Sequence, residues 1–270
     1  MASHMRPHIC LVFGTRPEAV KLAPVYQELR RRGDRFRVSV VVTAQHRELL
    51  DQMLSVFRIE PDVDLDIMKD KQTLSEVTCR ALSKLQEALR DIVPDIVLVQ
   101  GDTTTVFAGA LAAFYEHIDV GHVEAGLRSG DRYSPFPEEI NRRLTGVLGT
   151  LHFAPGQRAA DALVAEQVDP ENVYVTGNTV IDALYAIRER LTRTSRPRRD
   201  DETPGGQVLL VTIHRRENQG VAFTRICDGL RQIAKEHEDL SIIWPLHPNP
   251  AVRETAHDML GDVPGINLSE

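Results

Sequence analysis

The sequence is poor in cysteine and has no long apolar run. Its three cysteines, Cys10, Cys79 and Cys227, are far apart, odd in number and without CxxC spacing. This pattern is typical of a reducing compartment and argues against structural zinc, so we expect small buried thiols and no metal site. No stretch reaches the roughly 18 apolar residues that a membrane span needs, and no signal-peptide core precedes the first strand. We therefore expect a cytoplasmic protein that makes no membrane contact.

The sequence also lacks an excess of positive charge. Lys and Arg together number 32 against 39 Asp and Glu, which gives a net charge of −7. A chain this acidic is a poor candidate for nucleic-acid binding, so an anionic ligand would have to be met by locally grouped arginines. Its 270 residues exceed the size at which a single hydrophobic core stops growing, which predicts two lobes.

Several common catalytic motifs are missing as well. The chain contains no GxGxxG that opens a helix and no GxxxxGK[ST], so it does not resemble a typical dehydrogenase or NTPase. It also contains neither HExxH nor GxSxG, which argues against a zinc peptidase and against acyl transfer by an exposed serine. These absences leave acid/base chemistry without a metal or an organic cofactor.

Apolar strands alternate with helical segments along the whole chain, which indicates an α/β fold with a parallel sheet covered on both faces. Strands are predicted at His8–Phe13, Val38–Val42, Val63–Ile67, Ile96–Val99, Val120–Val123, Leu151–Ala154, Val173–Thr176, Val208–Ile213 and Ser241–Trp244, and a long amphipathic helix at about Leu74–Ile92. The first five residues, MASHM, resemble an expression-vector scar. We expect one domain at 6–191 that ends in a crossover helix, a linker at 192–206, and a second domain at 207–270 that is short for a complete lobe.

The densest group of ionisable and polar residues lies between Gly121 and Arg143, directly after an apolar strand. It comprises Glu124, Arg128, Asp131, Glu138, Glu139, Asn141 and Arg142. Open α/β sheets bind ligands at the carboxyl ends of their strands, and paired acids with arginines suit proton transfer beside an anion. The alternative interpretation is a solvated, salt-bridged surface helix.

Three other strand ends carry candidate groups. Arg16, with Lys21 five positions further on, stands where a helix N-terminus can hold an anion, or is only solvated. Asp102 follows the fourth strand and is either a site carboxylate beside Glu124 or a helix N-cap. His214 follows a later strand and precedes two arginines, a group able to grip a phosphate.

Six motifs stand out along the chain: FGTRPEAVKLAP at 13–24, TAQHRELLDQ at 43–52, QGDTTT at 100–105, HVEAGLRSGDRYSPFPEEINRR at 122–143, TGNTVID at 176–182 and TIHRREN at 212–218. Together, in register from about Ile9 to Glu270, they resemble the bacterial UDP-N-acetylglucosamine 2-epimerase family. The resemblance implies two Rossmann-like doubly wound lobes, similar to GT-B glycosyltransferases, with the second lobe incomplete in this chain. It also implies a homodimer that needs no cofactor.

The activity implied by the resemblance is the reversible conversion of UDP-GlcNAc to UDP-ManNAc. The family removes the C2 proton and expels UDP in an anti elimination, which leaves 2-acetamidoglucal beside UDP. Re-addition of UDP, with protonation on the other face of C2, then gives the epimer. The alternatives are a hydrolysing epimerase that releases ManNAc and UDP, a GT-B glycosyltransferase, and a UDP-sugar-binding fragment without turnover.

The resemblance also assigns roles to single residues. Asp102, Glu124 and Glu138 match the acid/base carboxylates, with individual roles open, and His214 matches a further residue of the catalytic site. Arg16, Lys21 and Arg142 match residues that hold the diphosphate or the sugar. Some relatives bind a second UDP-GlcNAc as an activator, and the matching positions here are Gln45, Gln72, Glu139, Arg215 and His247. Glu48 and Lys71 depart from that pattern, because Gln and Arg are expected there.

Overall fold

The computed structural model describes residues 6–44, 47–69, 72–193, 206–213, 220–246 and 250–269. The chain divides into two compact units, Met1–Arg193 and Thr194–Glu270. Most of the predicted linker at 192–206 lies outside the described residues, so the expected domain limits stay a prediction. In the parts of the chain that the structure describes, no helix is long and apolar enough to cross a membrane.

The first unit is built on a parallel sheet. Within its described residues the strands are β1 (His8–Phe13), β2 (Arg37–Val42), β3 (Val63–Asp64), β4 (Ile96–Gln100), β5 (Asp119–Val123), β6 (Leu151–Ala154) and β7 (Val173–Val175). They pair in the order β3-β2-β1-β4-β5-β6-β7. The chain thus adds strands on one side of β1 and then on the other, which is the order of a doubly wound Rossmann-like fold. The predicted α/β class is confirmed.

Helices cover both faces of this sheet. Within the described residues of this unit they are α1 (Arg16–Arg31), α2 (Arg47–Phe57), α3 (Leu74–Ile92), α4 (Thr104–Tyr115), α5 (Glu138–Leu148), α6 (Gln157–Ala165) and α7 (Val180–Arg193), with a 3-10 turn at Pro170–Asn172. Alternate residues of β1 separate into two cores, because successive side chains of a strand point to opposite faces. Cys10 and Val12 pack with residues of α3 and α4, whereas Leu11 and Phe13 pack with α1, α2 and α7.

The second unit contains a parallel sheet in the order β10-β9-β8 within its described residues. Its elements are β8 (Gln207–Leu210), α8 (Val221–Glu236), β9 (Leu240–Pro245), α9 (Pro250–Leu260) and β10 (Ile266–Ser269). Its core centres on Trp244, which is fully buried and packs at 5.5 Å, ring centre to ring centre, from Phe223. This unit is therefore an α/β layer with a core of its own.

The structure differs from the predictions at a few elements. The third strand ends at Asp64 and not at Ile67, because Asp66 lies in the left-handed region (φ 42°) and interrupts the extended backbone. The strand β10 was not predicted from the sequence. Cys10 and Cys227 are buried as expected, but Cys79 is exposed on α3, so that expectation is wrong for Cys79.

Candidate active site

The carboxyl ends of β1, β4 and β5 meet at the point where the strand order reverses, and a cavity opens there. Its volume is about 260 Å³. The described residues that line it are Thr15, Pro17, Glu18, Lys21, Gln100, Gly101, Asp102, Thr103, Glu124, Leu127 and Arg142. Ligands of open α/β sheets bind at this kind of switch point, because loops on its two sides diverge and leave a crevice. The cavity is the strongest candidate for an active site.

The loop after β1 forms one wall of the cavity around the buried carboxylate of Glu18. Glu18 accepts hydrogen bonds from the backbone N–H groups of Gly14 (2.6 Å) and Thr15 (2.8 Å), and from the hydroxyl of Thr103. Burial raises the pKa of Glu18, and these three hydrogen bonds oppose the rise. Glu18 therefore ties the end of β1 to the start of α4 beside the cavity.

The loop after β4 presents Asp102. Thr103, not Asp102, is the N-cap of α4, so the Asp102 side chain is not used as a helix cap. Arg142 Nη2 donates to Asp102 Oδ2 at 2.6 Å, and Asn141 Nδ2 donates to the Asp102 carbonyl oxygen at 3.0 Å. Two consecutive residues of α5 thus hold the backbone and the carboxylate of Asp102.

The environment of Asp102 favours its protonated form. Burial raises the pKa of Asp102 most strongly, and the nearby Glu138 and Glu124 carboxylates raise it further. The Arg142 guanidinium acts in the opposite direction, through its charge and its hydrogen bond. A carboxyl group whose pKa is raised in this way holds a proton more readily than a solvated carboxylate does.

The loop after β5 presents Glu124, whose backbone lies in the left-handed region (φ 63°). Such a conformation is costly for a residue other than glycine and persists where the surroundings fix it. Lys21 Nζ and Gln100 Nε2 both donate to Glu124 Oε2, and Asn178 Nδ2 donates to Oε1 at 2.9 Å. The carboxylate is therefore directed at the cavity by three donors from three segments.

The beginning of α5 carries Glu138 and Glu139, which differ in environment. Glu138 is half-buried and close enough to Asp102 to repel it electrostatically. Glu139 is only 1% exposed, and its Oε2 accepts from the Ser129 backbone N–H at 3.0 Å and lies 3.4 Å from Arg142 Nη1. Within this unit, Glu139 positions Arg142 and the 129 loop.

A buried histidine on β5 holds the loop after β4 through a hydrogen bond. His122 is 1% exposed, and its Nε2 lies 2.7 Å from the Gly101 carbonyl oxygen, so Nε2 carries the hydrogen. Burial lowers the pKa of His122 to about 4, and the hydrogen bond to Gly101 opposes this only in part. His122 is therefore neutral at pH 7 and fixes the residue that precedes Asp102.

The cavity brings together four of the residues predicted from the sequence: Lys21, Asp102, Glu124 and Arg142. Among the described residues, Arg16 and Glu138 do not line it; Arg16 is the exposed first residue of α1. The predicted site residues Gln45, His214, Arg215 and His247 lie outside the described residues. Gln72 is described, and its side chain accepts from the Lys69 backbone N–H.

Sequence reasoning missed Glu18 and Gln100, which line the cavity, and Asn178, which donates a hydrogen bond to Glu124. A signal existed for Glu18, because Thr15 and Glu18 have the spacing of a helix capping box. Gln100 and Asn178 lie inside quoted motifs but are uncharged, so a search for acids and arginines passes over them. Among the described residues, no three or more His, Cys, Asp or Glu side chains group closely enough to hold a metal ion.

Comparison with known proteins gives consistent matches along the chain. A sequence profile described as UDP-N-acetylglucosamine 2-epimerase matches residues 27–270. A UDP-N-acetylglucosamine 2-epimerase from Bacillus subtilis is 50% identical over 263 residues, which are 97% of this chain and 68% of the relative. The crystal structure of the UDP-GlcNAc 2-epimerase from Neisseria meningitidis, bound to UDP-GlcNAc, is 47% identical with a TM-score of 0.88, and the match covers 97% of this chain and 72% of that one. The structure of S. aureus MnaA with UDP is 47% identical with a TM-score of 0.87, covering 98% and 69%.

Proposed function

The chain belongs to the UDP-N-acetylglucosamine 2-epimerase family, and on that premise we propose that the switch-point cavity interconverts UDP-GlcNAc and UDP-ManNAc. The enzyme is an isomerase of nucleotide sugars. The observation that carries the assignment of the site is the convergence of two carboxylates, Asp102 and Glu124, with two cations, Lys21 and Arg142, in one cavity at the sheet edge. UDP-GlcNAc, UDP-ManNAc and UDP are its ligands.

The reaction breaks and forms bonds at C1 and C2 of the sugar. In the forward direction a base removes the C2 proton, the C1–O bond breaks, and UDP leaves with the bonding electrons, so that C1 and C2 become doubly bonded. Return of UDP to C1, with protonation of C2 on the opposite face, gives the epimer. Atoms and electrons balance without an oxidant, a metal or a further reactant.

Carboxylates and cations in this arrangement suit both halves of the reaction. The C2 proton is weakly acidic, so its removal needs a well-positioned, partly desolvated carboxylate. Asp102, Glu124 and Glu138 are the proposed acid/base groups, and the raised pKa of Asp102 supports a proton-holding role. The leaving diphosphate is doubly charged or more, so it requires nearby cations. Arg16, Lys21 and Arg142 are proposed to supply them, and His214 is proposed as a further residue of the catalytic site.

The decisive experiment follows the C2 hydrogen. The protein is incubated with UDP-GlcNAc in D2O, and the products are resolved by 1H NMR. Deuterium at C2 of both UDP-GlcNAc and UDP-ManNAc is expected, because the proton is exchanged with solvent between elimination and re-addition. Free ManNAc with UDP would identify the hydrolysing reaction instead, and no exchange at C2 would rule out the elimination mechanism.

Matched variants connect that exchange to the cavity. Asp102→Asn keeps the shape of the side chain but removes the ionisable group, and we expect exchange to fall by roughly a hundredfold or more, the usual scale for general acid–base groups. Asp119→Asn makes the same change at the exposed amino end of β5, on the opposite edge of the sheet. Exchange in that variant should match the wild type. Equal losses in both variants would contradict the assignment of the cavity.

Three further properties are proposed from the family resemblance. The enzyme is a homodimer, a state that exposed apolar side chains on α4 and α5 support. It acts in the cytoplasm, a location that its free cysteines support. A second UDP-GlcNAc is proposed to bind at Gln45, Gln72, Glu139, Arg215 and His247 as a regulator, although Glu48 and Lys71 weaken the match to that pattern.

A further inference from the structure

Two neutral amide side chains reach the carboxylate that the proposed function assigns to proton transfer. Gln100 Nε2 donates to Glu124 Oε2, and Asn178 Nδ2 donates to Oε1 at 2.9 Å. Gln100 is the last residue of β4 and is 2% exposed, whereas Asn178 lies in the loop between β7 and α7. The two amides therefore approach Glu124 from two different segments of the first unit.

The orientation of the Asn178 amide is fixed by its second hydrogen bond. Asn178 Oδ1 accepts from the Val180 backbone N–H at 3.0 Å, at the start of α7. Because the oxygen is occupied by a donor there, the amide nitrogen is the atom that faces Glu124. Asn178 is thus a donor held in place before any substrate binds, and its hydrogen bond to the first residue of α7 supplies the constraint.

Neutral donors suit this place because the cavity already contains opposing charges. The charged side chains that share it with Glu124 are Glu18, Lys21, Asp102 and Arg142. Lys21 forms an ion pair with Glu124, and Asp102 lies close enough for mutual repulsion. An additional carboxylate would disfavour the ionised form of Glu124. An additional cation would compete with the cations already present for contact with the diphosphate. An amide directs the carboxylate without adding charge.

We propose that Asn178, together with Gln100, is a positioning residue that holds the Glu124 carboxylate in its reactive orientation. The inference rests on the proposed function, since it gives Glu124 a part in proton transfer. Asn178 acts through Glu124 and need not touch the sugar. The backbone of Glu124 is in the left-handed region, and a strained residue keeps its conformation only where its neighbours fix it. The hydrogen bonds from Asn178 and Gln100 contribute to fixing it.

The test exploits the two hydrogen bonds of Asn178. In Asn178→Asp one carboxylate oxygen still accepts from the Val180 N–H, so the start of α7 is preserved, but the other now faces Glu124 as an acceptor of like charge. Asn178→Ser also retains a cap acceptor and removes only the donor to Glu124. Asn172→Asp adds the same charge at the 3-10 turn before β7, at the opposite end of that strand, and serves as the matched control.

The first measurement does not depend on activity. The 13C signal of the Glu124 carboxyl is recorded at one fixed pH in protein labelled at glutamate. In Asn178→Asp and Asn178→Ser this signal is expected to shift from its wild-type position, because the hydrogen bond from the Asn178 amide to Oε1 is lost. The control should keep the wild-type signal. An unshifted signal in Asn178→Asp, or an equal shift in Asn172→Asp, would overturn the inference whatever the activity.

The second measurement connects the orientation to the reaction. The acid limb of the kcat/KM profile for C2 exchange is expected to move to higher pH in Asn178→Asp, with a fall of roughly a hundredfold at pH 7, and Asn178→Ser should retain more activity because it adds no charge. An unmoved limb and unchanged kcat/KM would overturn the inference. If the wild type itself exchanged no hydrogen at C2, the proposed function would fail, and the 13C signal of the Glu124 carboxyl alone would decide whether Asn178 holds Glu124.

Discussion

At the scale of single residues, Asp102 is subject to two opposed influences. Burial and the neighbouring carboxylates raise its pKa, whereas the Arg142 guanidinium, 2.6 Å away, lowers it. The side chain of Arg142 is only 12% exposed, so solvent screens this pair weakly. Arg142 is therefore the cation that opposes the rise in the pKa of Asp102.

Removal of that cation should shift the pH dependence of the reaction. In Arg142→Met the pKa of Asp102 rises further, because the interaction that stabilises its ionised form is lost. We expect the acid limb of kcat/KM to move to higher pH and the rate at pH 7 to fall roughly a hundredfold. Arg142→Lys keeps the charge and should shift the limb less, with a loss that reflects the poorer geometry.

The neighbouring arginine provides the control for this prediction. Arg143 is half exposed and lies 3.4 Å from Glu166, away from the lining of the cavity. Arg143→Met should therefore leave the pH profile in place. A limb that moved equally in both variants would show that the net charge of α5, and not the contact with Asp102, sets the profile.

His122 gives the folded first unit a dependence on pH. Its folded-state pKa is about 4, below the ordinary value of 6.5. Between these values the unfolded chain binds a proton that the folded state does not, so stability is fully present above about 6.5 and is lost as the pH falls toward 4. The wild type should lose about 2 kcal/mol from this residue between pH 7 and pH 5.

His122→Gln isolates that contribution, because glutamine can still donate to the Gly101 carbonyl oxygen but does not titrate. Urea unfolding followed by far-UV circular dichroism should show a smaller loss of stability between pH 7 and pH 5 than in the wild type. The protein's single tryptophan, Trp244, lies in the second unit, so its fluorescence provides an internal control. The urea concentration at which this fluorescence changes should be the same in His122→Gln and in the wild type. Equal pH dependence in both proteins would show that His122 does not titrate as described.

The sequence was informative about charged site residues and uninformative about neutral ones. Asp102 and Glu124 could be predicted because both follow apolar strands, whose carboxyl ends meet at one sheet edge. The burial of Glu139 and the support of Glu124 by Asn178 could not be predicted. Both depend on tertiary contacts between segments 10 and 54 positions apart in the chain.

At the scale of elements, the segment between β5 and α5 is shaped by close packing against α6. Gly126 has a φ of 86°, and a Cβ atom there would lie 2.1 Å from the carbonyl oxygen of Ala159 in α6. Gly130 has a similar φ of 83° but no heavy atom within 4 Å of such a Cβ. The two glycines therefore share a backbone requirement and differ in available space.

This difference gives a paired prediction. Gly130→Ala should cost about 1 kcal/mol of unfolding free energy, the penalty for an alanine in the left-handed region. Gly126→Ala should cost about 3 kcal/mol or more, because the backbone of α6 or of the loop must also move. Urea unfolding at fixed pH measures both. Equal losses of unfolding free energy in the two variants would mean that the loop moves easily and that its contact with α6 does not constrain the site.

Regular elements were predicted well where apolar periodicity was strong. The helix Leu74–Ile92 and the strand Leu151–Ala154 agree with the structure at both ends. The error at β3 arose because its apolar residues continue beyond Asp64, whereas the left-handed backbone at Asp66 is a local conformation that no periodicity reveals. The apolar periodicity of a sequence indicates which residues are buried, but it does not indicate where the backbone is strained.

At the scale of the whole molecule, the alternation of strands and helices was sufficient to predict a parallel α/β fold. The same alternation does not determine the order of the strands, because the central strands are largely apolar on both faces and would fit several neighbours. The reversal between β1 and β4 is nevertheless the feature that creates the cavity. The sequence was therefore sufficient to predict that the site residues lie at the carboxyl edge of the sheet. The structure was needed to show which strands bring them together along that edge.

The proposed homodimer can be tested on the exposed apolar side chains of two neighbouring helices. Phe114 and Tyr115 at the end of α4 are 56% and 51% exposed, and Val147 near the end of α5 is 84% exposed. Large apolar groups exposed together are typical of protein interfaces. In Val147→Glu the dimer dissociation constant, measured by sedimentation velocity, should rise at least about a hundredfold, because an unpaired charge buried in an interface costs roughly 3–5 kcal/mol.

A second exposed valine provides the control for the dimer. Val164 on α6 is 43% exposed and belongs to another part of the first unit. Val164→Glu should leave the sedimentation profile unchanged, because a glutamate there remains in water. A dimer that survived Val147→Glu but was lost in Val164→Glu would place the interface on α6. A wild type that sedimented as a monomer at all concentrations would contradict the homodimer itself, and the α4 and α5 side chains would then need another partner to cover them.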